Sequence, residues 1–233
     1  MRIFTFLVVL GVGLWTAPVI NAQQSKSPWT FGVKTGVNIS TYNVDGGSDY
    51  SNTDGVIGFN GGVTVDYQLK NRFYLSSGLE FTTKGADFSQ MYPFYIDGNT
   101  VTQTTTKDSR KFQYLQLPLT IGYRLPISRN MNVTFNAGGY FAFGLSGKGT
   151  YEQWTEISEV GGTTSYEYMK KKTNQKGDTD FGLIGGLGLE YKRFSLNFNY
   201  ELGLRELYTG TNTIGLESTW KNRNAVLSVG YKF

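Results

Sequence analysis

The chain has 233 residues, and its 22 Lys and Arg exceed its 18 Asp and Glu by only 4 charges. Residues of the two signs are interspersed, without the basic stripe that binds nucleic acid, so we expect no nucleic-acid partner. The sequence has no histidine and no cysteine, which removes the commonest general base, a common metal ligand, the thiol nucleophile and any disulfide. We therefore predict that the protein is not an enzyme, with no catalytic residues, no metal site and no cofactor.

The first residues have the pattern of a secretory signal peptide. Arg2 precedes an apolar run from Ile3 to Trp15, and small residues follow, with Ala22 at a plausible cleavage site and Ala17 as a second option. This run is shorter than the roughly 20 apolar residues that a spanning helix needs. We predict a signal peptide over residues 1–22 and a single domain over residues 23–233.

From Trp29 onward, apolar and polar residues alternate with a period of two, which is typical of strands with one face in an apolar medium. The pattern recurs eight times, in segments near the roughly 9–11 residues that cross a bilayer when tilted. The predicted strands cover residues 29–40, 57–69, 73–82, 115–125, 132–145, 180–191, 194–205 and 223–233.

The connections between these strands alternate between long and short. Long polar segments cover residues 41–55, 85–111, 147–179 and 206–221, and they are predicted to be loops. Short periplasmic turns and long external loops are the known asymmetry of outer-membrane barrels. The sequence thus predicts an all-β fold, an eight-stranded antiparallel up-and-down transmembrane β-barrel in the Gram-negative outer membrane, with both termini periplasmic and outer-membrane lipid around it.

The alternative is a soluble eight-stranded barrel with its apolar face inward. The interior of an eight-stranded barrel is just wide enough for side chains to fill. The apolar face here is rich in Phe, Leu and Tyr, whereas the other face is mostly Gly, Ser, Asn and Thr. Aromatic residues also lie near strand ends, as interfacial girdles require. The bulky apolar side chains would not fit the narrow interior, whereas the small polar side chains would. We therefore predict that the apolar face contacts lipid.

The polar face also carries charged residues, which we predict to form an ionic network inside the barrel. Such charges either line a selective constriction or neutralise one another in a filled core, and we favour the filled core. Asp66 lies near the periplasmic end of the same face. The predicted network contains Lys34, Glu80, Arg124, Glu190, Glu201, Arg205 and Lys232.

The last strand alternates Leu227, Val229, Tyr231 and Phe233 with polar residues, and the sequence stops on the aromatic. It resembles the closing strand of bacterial outer-membrane barrels, where the terminal aromatics are an assembly signal. The resemblance implies that Tyr231 and Phe233 are recognised by the barrel assembly machinery.

The segment Tyr114-Leu115-Gln116-Leu117-Pro118-Leu119 resembles the Y-L-x-L-P-L segment of an outer-membrane barrel family that is widespread in Bacteroidota and is often labelled PorT-like. Since proline cannot donate to a ladder, we expect a bulge or a strained register at Pro118. The resemblance implies an accessory role in protein secretion. The small barrels of the OmpA and OmpX type imply instead a structural or interaction role, which we favour.

The long segments contain two features for binding. Aromatics from Tyr92 to Tyr95 precede an Asp97-Gly98 turn signal, and the residues around Gly161-Gly162 predict a hairpin that extends the fifth and sixth strands above the membrane. Such a hairpin could add a strand to a surface or secretion-system protein, or it could have no partner. A narrow passive channel for small solutes or ions is the third hypothesis, disfavoured because side chains fill so small a lumen.

Overall fold

A computed structural model of the chain describes residues 27–46, 52–92, 94–211 and 217–233. The predicted signal peptide, residues 1–22, lies outside the described residues. Eleven strands were found in the described part: β1 Trp29–Gly46, β2 Asn52–Gln68, β3 Phe73–Met91, β4 Tyr95–Asp97, β5 Thr100–Ser128, β6 Met131–Glu159, β7 Thr164–Gln175, β8 Asp180–Tyr191, β9 Phe194–Gly203, β10 Tyr208–Thr211 and β11 Glu217–Lys232. Among the described residues, one 3-10 turn covers Lys70–Arg72. Within these same ranges, no helix is long and apolar enough to cross a membrane.

Eight of the strands form a closed antiparallel ring. Its order is β1, β2, β3, β5, β6, β8, β9 and β11, and β11 pairs with β1 from Gly32↔Lys232 to Gly46↔Ser218. The first and last ring strands therefore pair, so the barrel has no open edge, which hydrocarbon would penalise. The prediction of an eight-stranded antiparallel barrel is confirmed, and all eight predicted strands lie within the ring or overlap it.

The two faces of the ring strands divide by polarity in the predicted direction. Val37 and Leu117 are 55% and 48% exposed, whereas the neighbouring Asn38 and Gln116 are each 1% exposed. The large apolar side chains therefore point away from the barrel axis and the polar ones point toward it. This arrangement is the reverse of a soluble barrel and is typical of strands surrounded by lipid.

An aromatic girdle lies at one end of the apolar band, next to the turns at residues 70–72, 129–130 and 192–193. We call this the short-turn end. Aromatic rings of cross-strand partners contact each other there at steep angles, with ring centroids 4.6 Å apart for Trp29 and Tyr67 and 5.1 Å apart for Phe73 and Tyr123. Such girdles mark the boundary between hydrocarbon and water.

The other end, which we call the hairpin end, differs from the prediction. The segments 85–111 and 147–179, predicted as loops, are largely strand. β5 and β6 each have 29 residues and pair from Ser128↔Met131 to Thr100↔Glu159. The sequence pattern failed here because both faces of these extensions contact water, so apolar alternation is lost although Thr-rich segments still favour extended chain.

The predicted hairpin around Gly161-Gly162 is present, since β7 pairs with β6 from Ser158↔Thr164 to Gly147↔Gln175. The predicted Asp97-Gly98 turn is present as well, where β4 folds back on β5 and Gly98 has φ 58°. That positive φ is readily adopted only by glycine. The protruding sheet thus has β7 and β4 at two of its edges.

The prediction of a bulge or strained register at Pro118 is wrong. The β3–β5 register is the same on both sides of it, from Ser77↔Leu119 to Glu80↔Gln116. Ser77 Oγ donates to the Pro118 carbonyl over 2.8 Å, so a side-chain hydrogen bond links β3 and β5 at the residue that lacks a ladder donor. The irregularities of the β5–β6 ladder lie elsewhere, between Gln113 and Tyr114 and between Pro126 and Ser128.

Candidate functional site

The polar side chains inside the barrel form layers along its axis, and the layer at the short-turn end is a tetrad of two cations and two carboxylates. Arg124 contacts Asp66 at 2.6 Å and Glu190 at 3.1 Å. Lys232 contacts the same two carboxylates, at 2.7 Å and 2.5 Å. The guanidinium also lies 3.9 Å from the ring centroid of Tyr74. The four formal charges cancel, and each charged group has two partners.

The next layer contains Lys34, whose ammonium lies 2.6 Å from Glu80. Between this pair and the tetrad is a cavity of about 80 Å³, lined by polar residues that include Thr120 and Asn136. Asn136 Oδ1 is buried without a partner within the described part of the chain. A polar cavity of this size has room for a few water molecules, but it is small compared with the continuous aqueous channel of a large porin.

Toward the hairpin end lies a fully buried cluster centred on Lys84. Its ammonium contacts Glu201 at 2.8 Å and Asp180 at 3.6 Å, and the exposure of the Lys84 and Asp180 side chains is 0%. It also lies 4.1 Å from the ring centroid of Tyr140. One cation therefore faces two carboxylates in a place without solvent.

Neutral donors stabilise the additional negative charge of this cluster. Gln116 and Asn224 donate to Glu201 over 2.7 Å and 2.9 Å. The Tyr140 hydroxyl and Asn222 donate to Asp180 Oδ2, each over 2.9 Å. Because buried charges persist only when they are paired and hydrogen-bonded, the cluster fixes β3, β5, β6, β8, β9 and β11 relative to one another.

An aromatic cap covers the Lys84 cluster. It consists of Tyr42, Phe88 and Trp220, with ring centroids 4.5 Å apart for Phe88 and Trp220 and 5.8 Å apart for Tyr42 and Phe88. All three side chains are buried, and the Arg110 guanidinium lies 5.2 Å from the Trp220 ring. A small ion that moved along the barrel axis would have to displace this cap and pass all three ionic groups, the tetrad, the Lys34–Glu80 pair and the Lys84 cluster.

The structure brings together most of the predicted network, but not as one unit. Arg124, Glu190 and Lys232 lie in the tetrad with Asp66, and Lys34 with Glu80 forms a separate pair. Glu201 lies in the Lys84 cluster, which the sequence prediction missed.

Arg205 is not part of any of these groups. It lies at the hairpin end, 35% exposed, where it donates to the Thr179 carbonyl and lies 3.8 Å from Asp178. Lys84 was missed because the third strand was predicted to end at Thr82. The period of two continues through Glu80, Thr82 and Lys84, and this continuation was the available signal.

The predicted terminal aromatics lie in the girdle of the short-turn end. Tyr231 pairs with Phe194, at a centroid distance of 5.3 Å, and with Phe233, at 5.6 Å. The Phe233 N–H donates to the Phe31 carbonyl over 2.9 Å. The last residue is therefore attached to the first strand and completes the ladder that closes the barrel.

Beyond the barrel, β5, β6 and β7 carry an exposed polar sheet. Trp154 and Tyr168 are directly opposed, with ring centroids 5.5 Å apart, on the face that continues the lipid-facing side. Lys170 donates to Glu152 on the same face and holds the pKa of that carboxyl below its usual range. Every residue of β7 is exposed, so this strand is an accessible edge of the sheet.

No group of three or more Asp and Glu residues in the described ranges is arranged to hold a metal ion. A family model described as "Outer membrane protein beta-barrel domain" matches residues 21–209 of the chain. No curated protein matches the sequence significantly.

Three solved structures with a similar chain course share only a small fraction of their sequence with this chain. The attachment invasion locus protein Ail of Yersinia pestis is 15% identical, with a TM-score of 0.30, and covers 88% of this chain and 98% of its own. OprG from Pseudomonas aeruginosa is 10% identical, with a TM-score of 0.42, and covers 89% of this chain and 97% of its own. Neisserial surface protein A is 12% identical, with a TM-score of 0.33, and covers 87% of this chain and 97% of its own.

Proposed function

The chain belongs to the outer membrane protein β-barrel domain family, and from this premise we propose that it is a non-conducting, non-enzymatic barrel that acts through its hairpin end in a structural or interaction role. The observation that carries the proposal is the contrast between the two halves of the molecule. The lumen is filled by the tetrad, the Lys84 cluster and the aromatic cap. The strands β5 and β6, in contrast, extend well beyond the roughly 9–11 residues that a membrane requires.

Planar-bilayer recording of the refolded, signal-free protein tests the closed lumen. We expect no steady single-channel conductance, because the three ionic groups and the aromatic cap together leave no continuous path through the lumen. A steady, ion-selective conductance that changes on Arg124→Gln or Glu201→Gln would instead support the third hypothesis, a narrow passive channel in which the inward charges select ions.

We further propose that residues 1–22 are a cleaved signal peptide, that both termini are periplasmic and that the hairpin end is outside the cell. The long strands at one end and the turns of a few residues at the other support this orientation. Because the chain has no native cysteine, a single introduced thiol reports its own location. A membrane-impermeant maleimide should label Thr163→Cys on intact cells and should label Arg129→Cys only after permeabilisation; the reverse pattern would contradict the orientation.

The terminal aromatics are proposed as the signal for the barrel assembly machinery. Their place in the closing strand supports this role, since Phe233 donates to Phe31 across the seam. Phe233→Ala and Tyr231→Ala should each reduce the amount of folded barrel in the outer membrane. Refolding of the purified variants in detergent separates loss of recognition, which leaves refolding intact, from loss of intrinsic stability.

An accessory role in protein secretion is the second candidate. It is favoured by the Tyr114–Leu119 segment, the motif of the PorT-like barrels, and by the exposed edge of β7, which could pair with an extended segment of a secretion-system or surface protein. Loss of secreted cargo in a deletion strain, restored by the full chain and not by a chain that lacks residues 150–172, would support it. Normal secretion in the deletion strain would exclude it.

A further inference from the structure

The lipid-facing side of β5 and β6 changes abruptly in chemistry where the apolar band ends. Leu115 on β5 and Leu145 on β6 are the last large apolar residues of the band on these strands. The next outward side chains toward the hairpin end are Gln113 and Lys111 on β5, and Lys148 on β6. At about 3.3 Å per residue and a tilt of about 40°, these lysines lie roughly 10 Å beyond the band. The polar headgroup layer extends roughly 5–7.5 Å beyond the hydrocarbon on each side, so the two lysines lie at its outer edge, and their long side chains can reach back to it.

The two lysines are direct cross-strand neighbours in the β5–β6 ladder, with Lys111 opposite Lys148. Both are exposed and on the same face. They border a groove of about 400 Å³ whose walls also include Ser109, Thr150 and Gln113. The groove therefore presents two ammonium groups together with hydroxyl and amide donors.

Like charges directly opposite one another destabilise a sheet. Neither Lys111 nor Lys148 forms an ion pair with a carboxylate of the described residues. Among the neighbouring lysines on the same face, Lys107 lies 3.9 Å from Asp87 and Lys170 contacts Glu152. Lys172, opposite Thr150 on β7, has no carboxylate partner among the described residues. An uncompensated pair of cations, surrounded by hydrogen-bond donors, is complementary to an anion with several oxygens.

We propose that this groove binds the phosphate group of a phosphorylated glycolipid in the surrounding leaflet, with Lys111 and Lys148 contacting the phosphate oxygens. The inference rests on the proposed function in one respect, the location of the hairpin end at the outer leaflet. A lipid-borne phosphate fits better than a soluble anion because the groove opens sideways, directly above Leu115 and Leu145. The acyl chains of such a lipid would lie against that apolar surface while its headgroup entered the groove.

The test measures lipid binding by the refolded, signal-free protein in detergent micelles, by native mass spectrometry, with diphosphorylated lipid A as the probe. Dephosphorylated lipid A and inorganic phosphate are the two comparison ligands. The test variant is Lys111→Gln with Lys148→Gln. The matched control, Lys70→Gln with Lys171→Gln, removes two exposed lysines outside the groove. Lys111→Arg with Lys148→Arg keeps the charge, and heat-modifiable migration verifies that each variant is folded.

A lysine near an anionic surface contributes about a factor of five in binding, so the Gln variant should bind lipid A about 25-fold more weakly. The control and the Arg variant should bind within about a factor of three of the wild type. Equal weakening by the test and control variants would overturn the site, because attraction would then be diffuse. If dephosphorylated lipid A binds as tightly as lipid A, the claim that the groove recognises a phosphate group is wrong. If inorganic phosphate binds as tightly as lipid A, the claim that the phosphate belongs to a lipid is wrong.

A failure of this lipid-binding test can be distinguished from a failure of the proposed function. The micelle measurement does not depend on which side of the membrane the hairpin end occupies, nor on whether the lumen conducts. A negative result with a silent, correctly oriented barrel would remove only the lipid site. A positive result with thiol labelling from the periplasm would preserve the site and assign it to the inner leaflet.

Discussion

Replacement of Lys84 by methionine should destabilise the barrel more than any change on its surface. Methionine fills much of the volume of the lysine stem but removes the ammonium, so Glu201 and Asp180 lose contacts at 2.8 Å and 3.6 Å. Both carboxylates remain buried, one of them completely. The interaction with the Tyr140 ring at 4.1 Å is lost as well.

The magnitude follows from the asymmetry of buried ion pairs. Removal of one partner leaves an uncompensated buried charge and destabilises the folded protein by about 3–5 kcal/mol. The four neutral donors to Glu201 and Asp180 remain, so we expect the lower half of that range. With a urea slope of about 2 kcal/mol per molar, the unfolding midpoint should fall by about 1.5–2 M.

Urea unfolding in lipid vesicles, followed by heat-modifiable migration, measures this change. Lys171→Met is the matched control, since Lys171 is exposed on β7, and it should shift the free energy of unfolding by less than about 0.5 kcal/mol. The double variant with Glu201→Gln should be less destabilised than the sum of the single variants, by about 1–3 kcal/mol. A Lys84→Met protein as stable as the Lys171→Met control would refute the assignment of Lys84 to a buried cluster.

Three further predictions concern other contacts. Arg124→Met should lower the free energy of unfolding by about 3–5 kcal/mol, because Asp66 and Glu190 would share Lys232 alone. A smaller decrease than that caused by Lys34→Met would contradict the tetrad. Gly122→Val should destabilise by about 1–3 kcal/mol, since a Cβ at Gly122 would lie 2.2 Å from Tyr74, whereas Gly149→Ala, whose Cβ meets nothing closer than 3.8 Å, should be tolerated. Lys170→Met should raise the pKa of Glu152 toward its ordinary value, because it removes the hydrogen bond and charge that lower it; an unchanged NMR titration of that carboxyl would argue against the pair.

The ring of strands was predictable because lipid imposes a strict period of two. A side chain such as Leu119 contacts hydrocarbon and its neighbour Thr120 contacts the lumen, so polarity and direction coincide. Beyond the band both faces contact water and this correspondence ends. The strand segments Thr100–Gln113 and Thr164–Gln175 therefore have no apolar signature, and their pairing is visible only in the structure.

The interior charges were predictable as a set but not as pairs. Alternation places Glu190 and Glu201 on the inward face equally well, and only the register assigns Arg124 to the first and Lys84 to the second. Pro118 shows a similar limit. Its missing N–H was evident, but the Ser77 hydroxyl that donates to its carbonyl comes from a strand about 40 residues away.

The filled lumen and the long hairpin have a physical connection through strand continuity. β5 and β6 are unbroken from the short-turn end to Thr100 and Glu159, and the Lys84 cluster holds β5 and β6 through Gln116 and Tyr140. Motion of the extension at its base would therefore strain a buried, charged network. A partner that binds a sheet anchored in this way loses less conformational freedom in ordering it, which increases affinity without additional contacts. The ionic core that closes the lumen thus also anchors the two long strands and keeps the external hairpin rigid.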